Sequence, residues 1–182
     1  VRYIGNRSTG KMGFALAEEA AARGARVELV TGPVALTTDR AGITRTDVTS
    51  AAEMATACKA NSAMSDVVIM SAAVADYRPA DPARAKIKKK ESKLEIDLEP
   101  TEDILAWMGE NKPHGQTLVG FALETDNELV HAKDKLARKK LDLLVLNSLR
   151  NVGAGFGHDT NQVTLLVPGT DPKELPLMSK AD

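Results

Sequence analysis

Cysteine is almost missing from this sequence: Cys58 is the only one in 182 residues. A single thiol excludes an internal disulfide and a cysteine-based zinc site. Aromatic residues are scarce too, with one Trp, two Tyr and three Phe, so there is little from which to build a base-stacking surface. No sign of charge dominates. Lys and Arg number 24 against 25 Asp and Glu, for a net charge of −1, whereas a nucleic-acid-coating domain normally carries a strongly basic face. No apolar run approaches the ~18 residues of a membrane-crossing helix, and no basic-then-apolar leader is present. Three familiar signatures are also lacking: G-x-G-x-x-G for dinucleotides, H-E-x-x-H for zinc hydrolysis and G-x-S-x-G for nucleophile-elbow esterases. The histidines His114, His131 and His158 are scattered and read as surface residues. What is there is a globular composition, 43% hydrophobic and 27% charged, at a length that suits one domain of ~100–200 residues.

Apolar spacing organises the chain. Residues 11–23 predict a helix, with Phe14, Leu16, Ala17, Ala20 and Ala21 on its apolar face and Gly24 as its stop. Residues 27–30 predict a strand ended by Thr31-Gly32-Pro33. Ser50-Ala51-Ala52-Glu53 reads as a capping box opening a helix to about Lys59. The apolar run 66–70 has the character of a strand buried on both faces in a parallel sheet. A helix follows from Thr101 and Asp103 through Trp107, then a strand at 117–121, a charged helix at 128–140 and strands at 141–146 and 163–167. Period-two alternation within 83–98 predicts a projecting two-stranded arm with a turn near Glu91-Ser92. Helices alternating with short apolar strands indicate an α/β fold, a Rossmann-like and mostly parallel sheet with helices on both faces. Ligands in such sheets sit at the carboxyl ends of strands, which directs attention to Thr31-Gly32-Pro33, Ser71-Ala72-Ala73, the stretch from Phe121 to Glu124, and Asn147.

Several residue sets could carry chemistry. Gly5-Asn6-Arg7-Ser8-Thr9-Gly10-Lys11-Met12 narrowly misses the P-loop pattern, with Met12 where a magnesium-binding hydroxyl belongs. A Walker-type NTPase is therefore rejected. A cationic, Gly-rich loop entering a helix still suits an anion, and equally suits a plain turn with solvated Arg7 and Lys11. Lys86-Ile87-Lys88-Lys89-Lys90 with Lys93 is the densest basic patch, either a charged edge that blocks aggregation or a polyphosphate contact. Lys135 and Lys139 share one helix face. Asp76, past a strand end, could receive a ribose hydroxyl or an exocyclic amine, or cap its own loop.

Four stretches together, Arg2-Tyr3-Ile4-Gly5-Asn6-Arg7-Ser8-Thr9-Gly10-Lys11-Met12-Gly13, Ala72-Ala73-Val74-Ala75-Asp76-Tyr77, Lys86-Ile87-Lys88-Lys89 and Val119-Gly120-Phe121-Ala122-Leu123-Glu124-Thr125, resemble phosphopantothenate–cysteine ligases. These are the phosphopantothenoylcysteine synthetases of coenzyme A biosynthesis, in bacteria usually the C-terminal half of a bifunctional flavoprotein. The likeness spans nearly the whole chain, read as a single ligase domain over residues 1–182, and implies that a first strand before Val1 and a final helix after Asp182 are lacking. It implies a cytoplasmic enzyme that uses CTP and Mg²⁺, the metal carried mainly by the triphosphate. The carboxylate of 4′-phosphopantothenate attacks the α-phosphate to give an acyl-cytidylate, and L-cysteine then displaces CMP. By the same likeness Lys86 contacts the triphosphate, Asn6 holds the acyl-cytidylate carbonyl and Arg2 supports cysteine capture. The cytidine site comprises Met70, Ser71, Ala72, Asp76, the helix start Glu102, Asp103, Ile104 and Leu105, and Phe121. Lys135 and Lys139 correspond to phosphate-contacting lysines and Asn147 to a substrate-side Asn. The resemblance further implies a homodimer, a possible fused decarboxylase domain with FMN upstream, and neither nucleic acid nor membrane as partner. The alternatives are a silent nucleotide-binding module and a Rossmann-type oxidoreductase domain.

Overall fold

In the computed structural model the described residues are 4–6, 8–83, 85, 87, 95–124, 126–148 and 160–180. The first helix, α1 (Lys11–Ala22), buries Phe14 and Ala17 and stops at Arg23. Strands β1 (Val27–Thr31) and β2 (Ile43–Asp47) pair in parallel. Helix α2 (Ala51–Ser62) opens on the reciprocal cap that its sequence announces: Ser50 accepts from the Glu53 amide while Glu53 accepts from the Ser50 amide. The elements that follow are β3 (Val67–Met70), β4 (Tyr77–Pro79), β5 (Leu98–Pro100), α3 (Ile104–Asn111), β6 (Thr117–Glu124), α4 (Glu128–Arg138) and β7 (Leu143–Ser148). Short strands close the described chain: β8 (Thr160–Asn161), β9 (Val163–Leu166), β10 (Lys173–Glu174) and β11 (Met178–Ser179).

The main sheet has the order β10-β9-β7-β6-β3. Strands β3, β6 and β7 run parallel, whereas β9 and β10 extend the sheet antiparallel. The expectation of a mostly parallel sheet is thus met in its centre and corrected at one edge. The expectation that the run 66–70 is buried on both faces is corrected: β3 is an edge strand, with a neighbour on one side only among the described residues, and Val67 and Ile69 are exposed. The turn from β9 to β10 passes through Val167-Pro168-Gly169-Thr170, where the Thr170 amide donates to the Val167 carbonyl at 3.2 Å. So tight a return leaves no room for a crossover helix, and the strands it joins must be antiparallel.

Strand β2 was not anticipated, because Ile-Thr-Arg-Thr-Asp carries a single large apolar residue. Its β-branched threonines suit a pleated surface, and the Arg45 guanidinium lies 5.4 Å from the Phe14 ring centre. Arg45 shares a face with Leu29 across the β1–β2 register, while Val30 on the opposite face packs on the core cluster that holds Met54 and Ala55 of α2. Helices α1 and α2 therefore cover opposite faces of that pair. The antiparallel pair that is seen, Tyr77 opposite Pro100 and Pro79 opposite Leu98, flanks the arm expected at 83–98, and residues 95–97 form no strand. The turn near Glu91-Ser92 lies outside the described residues.

One face of the main sheet makes the core. Leu118 and Ala122 of β6, Leu144 and Leu146 of β7 and Leu166 of β9 meet Ile104, Leu105 and Met108 of α3 and Ala132 and Leu136 of α4. Two glycines allow this close approach. A Cβ on Gly120 would lie 2.7 Å from Leu141 Cδ1 and 2.9 Å from Leu105 Cδ2, and one on Gly109 would lie 2.0 Å from the Lys139 carbonyl oxygen. Helix α3 is thereby set against both β6 and the end of α4. Among the described residues no helix is long and apolar enough to cross a membrane.

Candidate functional site

Because β3, β6 and β7 are parallel, their carboxyl ends at Met70, Glu124 and Ser148 open onto one rim. Hydrogen bonds draw the surrounding loops to that rim. Asn6 Nδ2 donates to the Val74 carbonyl at 2.9 Å, tying the segment before α1 to the loop after β3. Thr101 Oγ1 donates to the Ala75 carbonyl at 2.6 Å, and its amide donates to the Asp76 carbonyl at 2.9 Å. The start of α3 is thus held beside Asp76. The first turn of α1 abuts the same strand end, with Ser71 Oγ 3.2 Å from the position a Cβ on Gly13 would take. No acidic residue occupies that first turn, and the Thr9 hydroxyl accepts from its Lys11 amide at 3.5 Å, so no charge there opposes the helix dipole.

Helix α4 contributes the cations. Asp103 caps α3 by accepting from the Ala106 amide at 3.0 Å and pairs with Lys139 Nζ at 2.8 Å. Burial pushes the Asp103 carboxyl up, but the Lys139 ammonium and the Ala106 amide together outweigh it and hold the group below the usual carboxylate range. Lys135 Nζ donates to the Phe121 carbonyl at 3.0 Å. Burial, and next the charge of Lys139, pull the Lys135 ammonium below the ordinary lysine range, against the opposing pull of Glu124 and Asp103. An ammonium held this way gains most from an anionic ligand, which restores what desolvation removes.

The residues anticipated here divide four ways. Asn6, Ser71, Asp76, Asp103, Phe121, Lys135, Lys139 and Asn147 fall on the rim or on elements bonded to it. Met70, Ile104 and Leu105 turn their side chains to the core, so only their backbone groups can meet a ligand, and Ala72 is exposed beside them. The Glu102 carboxylate pairs with Lys59 of α2. Arg2 and Lys86 lie outside the described residues. Among the described residues no three His, Cys, Asp or Glu side chains are placed to hold a metal ion.

The whole chain, residues 1–182, matches the family described as DNA/pantothenate metabolism flavoprotein C-terminal domain. The chain belongs to this family. It is 47% identical over 182 residues to the coenzyme A biosynthesis bifunctional protein CoaBC of Bacillus subtilis (strain 168), all of this chain against 45% of that protein. It is 48% identical to a cysteine/cysteine sulfinic acid decarboxylase of an unknown prokaryotic organism, all of this chain against 51% of that one. The chain thus spans about half the length of these curated relatives. Among solved structures, the C-terminal domain of a CoaBC protein superposes with a TM-score of 0.81 at 40% identity, covering 100% of this chain and 80% of that domain.

For a member of this family, two features of the rim had no signal in the sequence. Thr101, which fastens α3 to the Asp76 loop, was legible only as a helix start. Asn161 of β8 donates to Asn147 Oδ1 at 2.7 Å, a contact between residues 14 apart that no local pattern announces.

Proposed function

We propose that this domain is a phosphopantothenoylcysteine synthetase that joins 4′-phosphopantothenate to L-cysteine at the expense of CTP. The observation that carries this reading is the clustering of Asn6, the Ser71–Asp76 loop, the α3 start, Phe121, Lys135 and Lys139 at one rim of parallel strand ends. Similarity over the whole of this chain to proteins of coenzyme A biosynthesis supports the same substrate class.

In the first step a carboxylate oxygen of phosphopantothenate attacks the α-phosphorus, forming an acyl–phosphate bond as the bond to the pyrophosphate leaving group breaks. In the second the cysteine amine attacks the acyl carbon, CMP leaves and the amine proton is lost to solvent. Neither step requires a protein nucleophile. Both concentrate negative charge, so fixed cations and oriented amides supply what catalysis needs. In this reading Lys135 and the α1 N-terminus take that role, with Lys86 on the triphosphate. Asn6 donates to the activated carbonyl and Arg2 supports the capture of cysteine. The exposed backbone of Ala72 and the Phe121 region would face the base. Mg²⁺ has no carboxylate cage among the described residues, and in this reading it travels on the triphosphate. The exposed Ile87, Ile96, Tyr77 and Leu98 of the arm suit a homodimer contact. A decarboxylase with FMN upstream is the partner this reading implies.

The test is a coupled assay on the full-length protein. Pyrophosphate release from CTP should require phosphopantothenate, and CMP release should require cysteine as well. Lys86→Gln should abolish the first release, and normal turnover in that variant would remove Lys86 from the triphosphate. A protein that binds CTP but releases no pyrophosphate would be a silent nucleotide-binding module instead.

A further inference from the structure

Asn161 is buried, and both ends of its carboxamide are engaged. Its Oδ1 accepts from the Gln162 backbone amide at 3.1 Å, and its Nδ2 donates to Asn147 Oδ1 at 2.7 Å. A backbone N–H can only donate, so the end of Asn161 it meets must be the oxygen. The nitrogen therefore points to Asn147, which must answer with its own oxygen. One unambiguous donor, the Gln162 amide, fixes the orientation of two amides in series.

The consequence falls on Asn147. It stands at the carboxyl end of β7, opposite Leu123 of β6 and Val163 of β9, at the rim where the candidate site lies. With Oδ1 committed to Asn161, its Nδ2 meets no acceptor among the described residues. Half-buried amide donors ordinarily find an acceptor. We infer that Asn161 is a positioning residue: it locks the Asn147 carboxamide so that the NH₂ group is presented as a donor to an oxygen of a bound anion, a phosphate or a carboxylate. This deepens the ligase reading and rests on it. Unlocked, the Asn147 amide could turn over and offer an acceptor to an anion, which repels it.

Asn161→Asp tests this directly. The carboxylate still accepts from the Gln162 amide but cannot donate to Asn147, so the Asn147 amide must turn and donate to it. In the full-length protein, Asn161→Asp should raise KM about tenfold for one substrate, the loss expected for a hydrogen bond to a charged group. KM measured separately for CTP and for phosphopantothenate identifies which substrate carries the oxygen that is held. Asn147→Ala should show the same loss, and the double variant should be no worse than Asn147→Ala, because Asn161 acts only through Asn147. Unchanged KM for both substrates in Asn161→Asp, or two losses that add in full, would overturn the inference. A second readout needs no turnover. In the nitrogen-15 spectrum the Asn161 side-chain NH₂ protons should be protected from exchange, and Asn147→Ala should remove that protection. If the wild-type protein releases no pyrophosphate from CTP, the ligase reading fails alone. The lock is then decided by exchange: protection that depends on Asn147 supports it, and exchange as fast as that of an exposed amide overturns it.

Discussion

Two places on the molecule set cations beside the start of α3, and they differ in what neutralises the charge. In the cleft of about 300 Å³ between α2 and the β4–β5 ribbon, Lys59 pairs with Glu102 and lies 4.8 Å from the Trp107 ring centre, while Arg78 pairs with Glu99 at 2.8 Å. Each cation there has its own carboxylate. At the strand-end rim Lys139 pairs with Asp103, whereas Lys135 donates to a carbonyl and keeps a desolvated charge. The cations of the cleft are already balanced, so an anion is worth more at the rim. A concave shape favours the cleft, and the balance of charge against burial favours the rim.

Breaking the joint between α3 and α4 should have the largest effect. Gly109→Ala drives a methyl into the Lys139 carbonyl at 2.0 Å, so backbone must move, with an expected loss of about 3 kcal/mol in thermal or denaturant unfolding. Gly120→Ala meets only leucine methyl groups at 2.7 and 2.9 Å, which can turn aside, and should cost about 1–2 kcal/mol. Equal losses would mean that the two glycines are not separating backbone from side-chain contact.

A pH titration sharpens the contrast between the two sites. Affinity of the rim for a nucleotide triphosphate should fall as pH rises through the lowered Lys135 value, because the neutral amine no longer attracts phosphate. Lys135→Met should flatten that dependence, measured by calorimetry across the alkaline range, and an unaltered profile would assign it to another group. The smallest effect is on stability in acid. Asp103 and Asp142 both have folded values below 3.8; for Asp142, burial raises the carboxyl but is outweighed by Lys112 and the Leu118 amide. For a depressed carboxylate the contribution is complete above the unfolded value and is lost as pH falls through the folded one. Both side chains are more than a third exposed, at 47% and 43%, so solvent screening leaves less than about 1 kcal/mol to lose, read as a lower melting temperature below pH 3.8.

Much of this arrangement was legible in the sequence. Continuous apolar runs located β6 and β7, because a strand covered on both faces has no polar side to alternate with, but the same pattern at 66–70 overstated the cover of β3, an edge strand whose Val67 and Ile69 are exposed. The Ser50–Glu53 cap was readable because its partners are three residues apart. Strand β2 escaped because its stability comes from pairing with β1 and from Arg45 over Phe14, neither of which is local. At the site, the Asp76 loop and the lysines of α4 were found, whereas the burial of Ile104 and Leu105 was not. A cap residue and the apolar residue after it look alike in sequence whether they face ligand or core. The Asn161–Asn147 pair depends on β9 returning antiparallel beside β7, a topology that apolar periodicity does not encode.

The most direct measurement is calorimetric titration of the full-length protein with magnesium–CTP, comparing Lys135→Met with Lys59→Met. The rim account predicts that Lys135→Met weakens binding about tenfold or more, as expected for losing a charge-assisted contact, while Lys59→Met binds as the wild type does. Binding that survives Lys135→Met but collapses in Lys59→Met would place the triphosphate in the cleft and contradict the account.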